Sequence, residues 1–389
     1  VNAATQAPLP HLVIIDAHAQ AFRSFYALAQ SFSPSGLPNN ALIGFAGVLS
    51  RLANGEGADP GAPPDLVAMV LDAPTEERVT FRTALFPAYK AHRNPRPPLL
   101  AQQLGLLGEL THAFGITPFY DPDFEADDII ATLVTMAERA GIYTTIHSAD
   151  KDLTQLVSDK THVLDTMRGK RYDPSAVIER FGIPAALVPD WLALVGDSSD
   201  NIPGVSGLGP SAATKILRAA GSLQEAIAHP ERLARSQAVK LLASRDAALL
   251  SLSLTRLRDD VPLPTLGTDA EGPVARLWRL FPRAPNRREL ATYLKSLGVP
   301  LYLMPKERDV PVVPLPTPRP GSTAVRERAS PESPSVAPAP ARGSQQAPQP
   351  VPPPAPNQRE EPSPQVALTP VTSTTKSLKP LVQGSLWDD

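Results

Sequence analysis

The chain has 389 residues, 42% of them hydrophobic, with 37 Lys and Arg against 39 Asp and Glu and no cysteine. This is enough apolar material for a sizeable core and leaves room for two domains and a tail, while the lack of cysteine excludes disulfides, zinc–thiolate sites and iron–sulfur clusters. A formal net charge of −2 argues against a nucleic-acid partner only if the acids are not themselves neutralised by bound cations.

The opening stretch VNAATQAPLPHLVIID has no charged leader, and its apolar run is too short to span a membrane or act as a signal peptide. The expectation is a soluble cytoplasmic protein with no membrane contact, in which residues 1–10 are flexible. HLVIID (11–16) is a short β-rich run ending on Asp16, and DLVAMVLD (65–72) repeats the pattern and ends on Asp72. TFRTALFPAYKAHRNPR (80–96) concentrates Arg82, Lys90, Arg93 and Arg96 around Phe86 and Tyr89. It reads as an amphipathic helix with Lys90 and Arg93 on one face.

FEADDIIATL (124–133) crowds Glu125, Asp127 and Asp128 at the start of an apolar helix. Two like charges about 4 Å apart repel by roughly 4 kcal/mol at an effective dielectric near 20, so the cluster needs either a counter-charge or a solvated helix N-terminus. GIYTTIHSAD (141–150) is a third strand ending on an aspartate, Asp150, with Asp152 close behind. Strands alternating with helices predict a parallel α/β sheet, in which ligands lie beyond the carboxyl ends of the strands. Asp16, Asp72 and Asp150 would share that rim.

From about residue 186 short helices take over, in PDWLALVG, PSAATKILRAAG and the Ala/Leu-rich run through Leu257, which predicts a helical lobe over 186–304. VGDSSDNIPG, between the first two, adds Asp197 and Asp200. Gly207-Leu208-Gly209 ahead of Pro210 is a tight turn at a helix N-terminus, an arrangement suited to an anion. Of the 46 prolines, 20 fall in the last 85 residues among Ser, Gln, Ala and Thr, which predicts a disordered tail over 305–389.

Nine acids, Asp16, Asp72, Glu125, Asp127, Asp128, Asp150, Asp152, Asp197 and Asp200, cannot share a cleft unless cations compensate them. An all-oxygen donor set selects hard ions such as Mg²⁺ or Mn²⁺ over zinc. The chemistry that uses such a set is two-metal phosphodiester hydrolysis, an in-line displacement with charge stabilised on both sides.

LVIIDAHAQAFRSFYAL, the strand ending VLDA, FRTALFPAYKAHR, FEADDIIATL, HSADKDLTQLV and VGDSSDNIPGVSGLGPSAATKIL occur in the order found in bacterial 5′→3′ exonucleases, and over residues 11–260 the chain resembles that family. These are the flap-endonuclease-like domains also present at the N-terminus of DNA polymerase I. The resemblance implies a PIN-like nuclease core over 11–185 with a helical arch at about 75–98, then a helix-three-turn-helix lobe of the helix-hairpin-helix type. It also implies a stand-alone, monomeric, nucleoid-associated form, since the polymerase part is absent from this sequence.

Carried across, Asp16, Asp72, Glu125 and Asp127 match the ligands of a first, catalytic Mg²⁺, and Asp128, Asp150, Asp152, Asp197 and Asp200 match the acids around a second. Lys90 and Arg93 match the cations that hold the scissile phosphate. Arg82, Tyr89, Arg96, Gly207, Gly209, Ser211, Thr214 and Lys215 fall at positions expected to meet DNA, with Tyr89 stacking on a terminal base and K⁺ held by the hairpin carbonyls. Two departures stand out. Ser211 and Ala212 replace the usual acid–lysine pair, and Ala17 replaces a common glycine after Asp16.

The implied substrates are branched or nicked DNA with a 5′ flap, and RNA primers. The competing reading is a non-catalytic branched-DNA-binding protein whose acids hold structural ions; a single-metal phosphatase is more distant, because it would need neither the basic arch nor the glycine hairpin. Finally, Gln383, Leu386 and Trp387 in LVQGSLWDD resemble the short motifs that engage the bacterial β sliding clamp, with two apolar anchors and a register-setting amide.

Overall fold

The computed structural model describes residues 10–56, 64–73, 79–166 and 168–307. The lead at 1–9, part of the expected arch, and the tail with its clamp-like motif lie outside the described residues. Six strands form one sheet: β1 (His11–Asp16), β2 (Leu66–Val70), β3 (Thr117–Phe119), β4 (Tyr143–His147), β5 (Thr161–Asp165) and β6 (Lys170–Tyr172). Their order is β3-β2-β1-β4-β5-β6; β1 to β5 run parallel, and β6 is antiparallel to β5.

The central strands are apolar without alternation because both faces are covered. Leu12 to Ile15 and Leu66 to Val70 are each 0% exposed, as a parallel sheet layered on both sides requires. One face carries the helices Ala17–Ala27, Asn40–Ala53 and Leu107–Ala113, packed on Val13, Ile15, Val67 and Met69. The other carries the helix Ala126–Ala140 on Leu12, Ile14, Leu66 and Ala68.

The helices that follow are continuous with this second layer. Val188–Val195, Pro210–Ala220 and Arg245–Thr255 share a single apolar cluster with the sheet, so the helical segment has no core separate from the nuclease-like part. The expected lobe at 186–304 is also divided. Helix Arg287–Ser296 returns to the first face through Leu290, Leu294 and Leu297, and Asn39 Nδ2 fastens it by donating to the Leu297 carbonyl at 2.9 Å.

The described part of the arch differs from the expected helix. Helix Phe81–Leu85 has 5 residues, capped by Thr80, and ends at Phe86. Pro87 cannot extend it, because a proline offers no N–H and disfavours helical geometry in the residue before it. A series of turns follows, with Lys90 at φ 58. Lys90 and Arg93 therefore share a turn rather than a helical face, linked by Arg93 N donating to the Lys90 carbonyl at 3.1 Å.

Candidate active site

The sheet register builds the site's floor. Asp16 lies opposite Val70, and Ile15 lies opposite His147, so the three strand ends fall on one edge with Asp72 and Asp150 just beyond. Asp16 caps the helix Ala17–Ala27 by accepting from Ala19 N at 3.0 Å, and its other oxygen accepts from Ser148 Oγ at 2.9 Å. Asp72 accepts from Ala126 N at 3.2 Å and meets His18 Nδ1 at 3.0 Å.

The crowded acids of FEADD are separated by tertiary contacts. Glu125 and Asp128 form a reciprocal capping box at the start of helix Ala126–Ala140. Asp128, 0% exposed, takes both arms of the Arg82 guanidinium, at 2.6 and 2.8 Å, and also accepts from Arg258 N at 2.9 Å. Arg82 is itself 1% exposed and donates to Glu125 at 3.1 Å and to the Leu254 carbonyl at 2.8 Å.

This corrects two expectations. Arg82 is too deeply buried to meet DNA, and the Asp128 carboxylate is committed to Arg82 rather than open to an ion. Tyr89 is corrected likewise. It is 6% exposed and donates its hydroxyl to Glu125 at 3.0 Å, so it cannot stack on a base. Burial and then the neighbouring acids Glu125 and Asp200 keep that phenol protonated well beyond its ordinary range.

Further cations close on the remaining acids of this side. Lys90 Nζ lies 2.7 Å from Glu125 Oε1 and 3.8 Å from Asp200. Arg93 meets Asp200 at 2.5 Å, and Lys151 meets Asp197 at 2.8 Å. Burial alone would raise the Glu125 carboxyl, but Lys90 and Arg82 outweigh it and hold it below the ordinary value. At Asp197, burial is likewise outweighed by the Lys151 and Ser199 hydrogen bonds.

The loop carrying Asp197 and Asp200 owes its shape to two glycines. Asp197 and Ile202 bridge antiparallel, and a Cβ on Gly204 (φ 63) would come within 2.5 Å of Gly196 N. The loop grips the arch base: Lys90 N donates to the Asp200 carbonyl at 2.9 Å, and Asn201 Nδ2 donates to the Ala88 carbonyl at 2.8 Å.

Among the described residues, no ion pair reaches Asp16, Asp127, Asp150 or Asp152. Burial is the largest influence on each and raises its pKa: Asp16 is pushed up to about 6, and Asp127 and Asp152 well above the ordinary range with Asp150 adding repulsion to both. Asp150 is raised in the same direction, although its exposure lets solvent blunt the effect. Among the described residues, Asp152 Oδ1 is buried with no hydrogen-bond partner. No three acids among the described residues close into a ready-made shell, yet an open array of uncompensated carboxylates fits hard divalent ions.

Comparisons with known proteins identify the family. A family profile described as 5′-3′ exonuclease, N-terminal resolvase-like domain, matches residues 11–182, and a second, 5′-3′ exonuclease, C-terminal SAM fold, matches residues 183–272. The chain belongs to the 5′-3′ exonuclease family. It is 40% identical over 259 residues to DNA polymerase I of Rhizobium leguminosarum, covering 65% of this chain and 25% of that protein. With the thermostable DNA polymerase I of Thermus aquaticus it shares 35% over 290 residues, 75% of this chain and 32% of that one.

The chain therefore spans about a quarter to a third of the length of these curated relatives. Among solved structures, T5 5′-exonuclease with bound divalent zinc superposes with a TM-score of 0.53 at 20% identity, covering 72% of this chain and 98% of that one. A phage T5 flap endonuclease in complex with DNA and metal ions gives 0.52 at 21%, covering 74% and 98%. These likenesses establish the shared fold.

The expected glycine turn has Gly207 at φ 73 and Gly209 capping helix Pro210–Ala220. Ser211 and Lys215 are exposed on that helix and Arg96 is partly exposed. Thr214 faces inward, donating to the Phe181 carbonyl at 2.8 Å and accepting from Trp191 Nε1 at 3.1 Å, so its expected DNA contact is corrected to a structural one. The K⁺ expectation falls on the carbonyls of this loop. The Gly207 carbonyl already accepts from Lys240 Nζ at 2.8 Å, so the cation at that oxygen is the chain's own ammonium.

Sequence reasoning missed three residues: His18, Lys151 and Lys240. Lys151 had a local signal, since it stands between Asp150 and Asp152. Lys240 is 33 residues from the carbonyl it meets and had none.

A first prediction arises from the uncompensated acids. A carboxyl whose pKa is raised on folding stabilises the metal-free fold fully below its unfolded value and loses that contribution as pH rises through the folded one, for Asp16 from 3.8 to about 6. An ion bound to the ionised acids offsets the loss. Mg²⁺ or Mn²⁺ is therefore expected to raise the thermal unfolding midpoint more at pH 8 than at pH 5, where protons compete for the ligands. Equal shifts at both pH values would remove these acids from the ion's shell.

Proposed function

We propose that this chain is a structure-selective 5′→3′ exonuclease and 5′ flap endonuclease that hydrolyses DNA and RNA-primer phosphodiesters with two divalent ions, Mg²⁺ or Mn²⁺. The observation that carries the reading is the array Asp16, Asp127, Asp150 and Asp152, which no ion pair reaches among the described residues, beside the lysine and arginine of the arch base. The ions supply Lewis acidity and charge neutralisation at the scissile phosphate. Asp16, Asp72, Glu125 and Asp127 would hold one, and Asp150, Asp152, Asp197 and Asp200 would surround the other.

Lys90 and Arg93 complete the site. Burial alone would lower the Lys90 pKa, but Glu125 and Asp200 outweigh it, so its ammonium stays charged. In the structure it leans on Glu125; placed at the scissile phosphate, its ammonium would stabilise the charge that grows in the transition state.

The test combines substrate ranking with one substitution. Labelled 5′ flap, nicked duplex and single strand are incubated with Mg²⁺, Mn²⁺ or chelator, and cleavage is expected only with metal and fastest on the flap. Lys90→Ala is expected to lower the single-turnover rate roughly a hundredfold, the usual loss for one electrostatic donor, with little change in DNA affinity. Metal-independent DNA binding with no cleavage under any condition would favour the structural-ion reading instead.

A further inference from the structure

His18 is a buried titratable side chain at the strand rim that the proposed chemistry does not use. It sits in the first turn of helix Ala17–Ala27, two residues after the Asp16 that caps that helix. Its side chain is 10% exposed, with Nδ1 3.0 Å from Asp72 Oδ2. We propose that His18 is a positioning residue that presets the Asp72 carboxylate for a divalent ion, an inference that rests on the two-metal reading above.

An ionised carboxylate can only accept, so Nδ1 carries the proton in this contact. Asp72 Oδ1 accepts from Ala126 N at 3.2 Å, at the start of the helix that bears Glu125 and Asp127. The carboxylate is thus held at both oxygens. Held in this way, the side chain has little rotational freedom left to lose when an ion binds, which is how outer partners raise metal affinity.

The same contact sets distance. Asp16 belongs to β1 and Asp72 follows β2; His18 ties the second to the helix capped by the first, so the spacing between the two acids is fixed by one rigid element. A donor on a flexible loop would not do this.

The experiment measures Mn²⁺ binding to the full chain without DNA, by calorimetry and by loss of the free-ion EPR signal. His18→Ala is expected to weaken binding ten- to a hundredfold, the usual cost of losing such a partner. His18→Asn places an amide N–H near the position of Nδ1 and is expected to recover most of the affinity. His18→Gln, whose amide reaches the position of Nε2 instead, is not.

Thermal midpoints in chelator identify any variant that is simply misfolded, and the Asn/Gln contrast keeps the inference testable if the alanine variant is. Affinity of His18→Ala within twofold of wild type would overturn the inference, as would equal recovery by Asn and Gln. If Asp72→Ala abolishes binding while His18→Ala does not, only the role of His18 falls. If wild type binds no Mn²⁺, the two-metal reading falls with it.

Discussion

Replacing Arg82 with alanine is expected to lower folding stability by about 3–5 kcal/mol, the usual cost of removing one partner from a buried ion pair. Arg82 and Asp128 are 1% and 0% exposed and bonded through both guanidinium arms. Without the arginine, the buried Asp128 loses its ion-pair partner, and the Leu254 carbonyl at the end of helix Arg245–Thr255 loses its donor. Arg82→Lys is expected to recover little, because a point charge cannot satisfy a bidentate geometry.

Adding Asp128→Asn to Arg82→Ala is expected to restore a large part of the loss, since an unpaired amide costs less to bury than an unpaired carboxylate. Urea unfolding of the four proteins in a double-mutant cycle reads the coupling directly. A loss under 1 kcal/mol for Arg82→Ala would mean that solvent reaches Asp128 in solution. The consequence extends to the site, because Arg82 also holds Glu125 and ties the arch base to the helical segment.

Asp127→Asn is expected to do the reverse: stabilise the metal-free protein while removing activity. Burial, then repulsion from Asp150 and Asp16, makes ionised Asp127 unfavourable in the absence of metal, and an amide of the same shape relieves that cost. The midpoint of thermal unfolding in chelator should rise, and should rise further as pH increases from 5 to 8. At the same time cleavage should fall by more than about a hundredfold, beyond the loss usual for an outer partner, because the ligand proposed for the ion is gone. Such opposition between stability and activity is usual where function requires strained charge. A variant that is no more stable than wild type in chelator would show that cleft cations already compensate Asp127.

Local pattern was sufficient for much of this protein. Short apolar runs ending in aspartate predicted parallel strands with their acids on one rim, and β1, β2 and β4 place Asp16, Asp72 and Asp150 there. The glycine turn before Pro210 and the motifs shared with the 5′-3′ exonuclease family were equally legible, because strand length, caps and turns depend on neighbours a few residues away. Charge pairing does not. Whether an acid meets metal, lysine or arginine depends on which segment reaches it, and Arg82 lies 46 residues from Asp128 while Lys151 sits opposite Asp197 on a different loop. Tyr89 reads as a stacking aromatic until the loop at 196–204 closes over it, and Lys90 reads as helical until Pro87 and the contact with Asp200 turn the chain. The long-range approach of the arch to the acid cluster decides which acids meet a cation of the protein, and among the described residues no ion pair reaches Asp16, Asp127, Asp150 or Asp152.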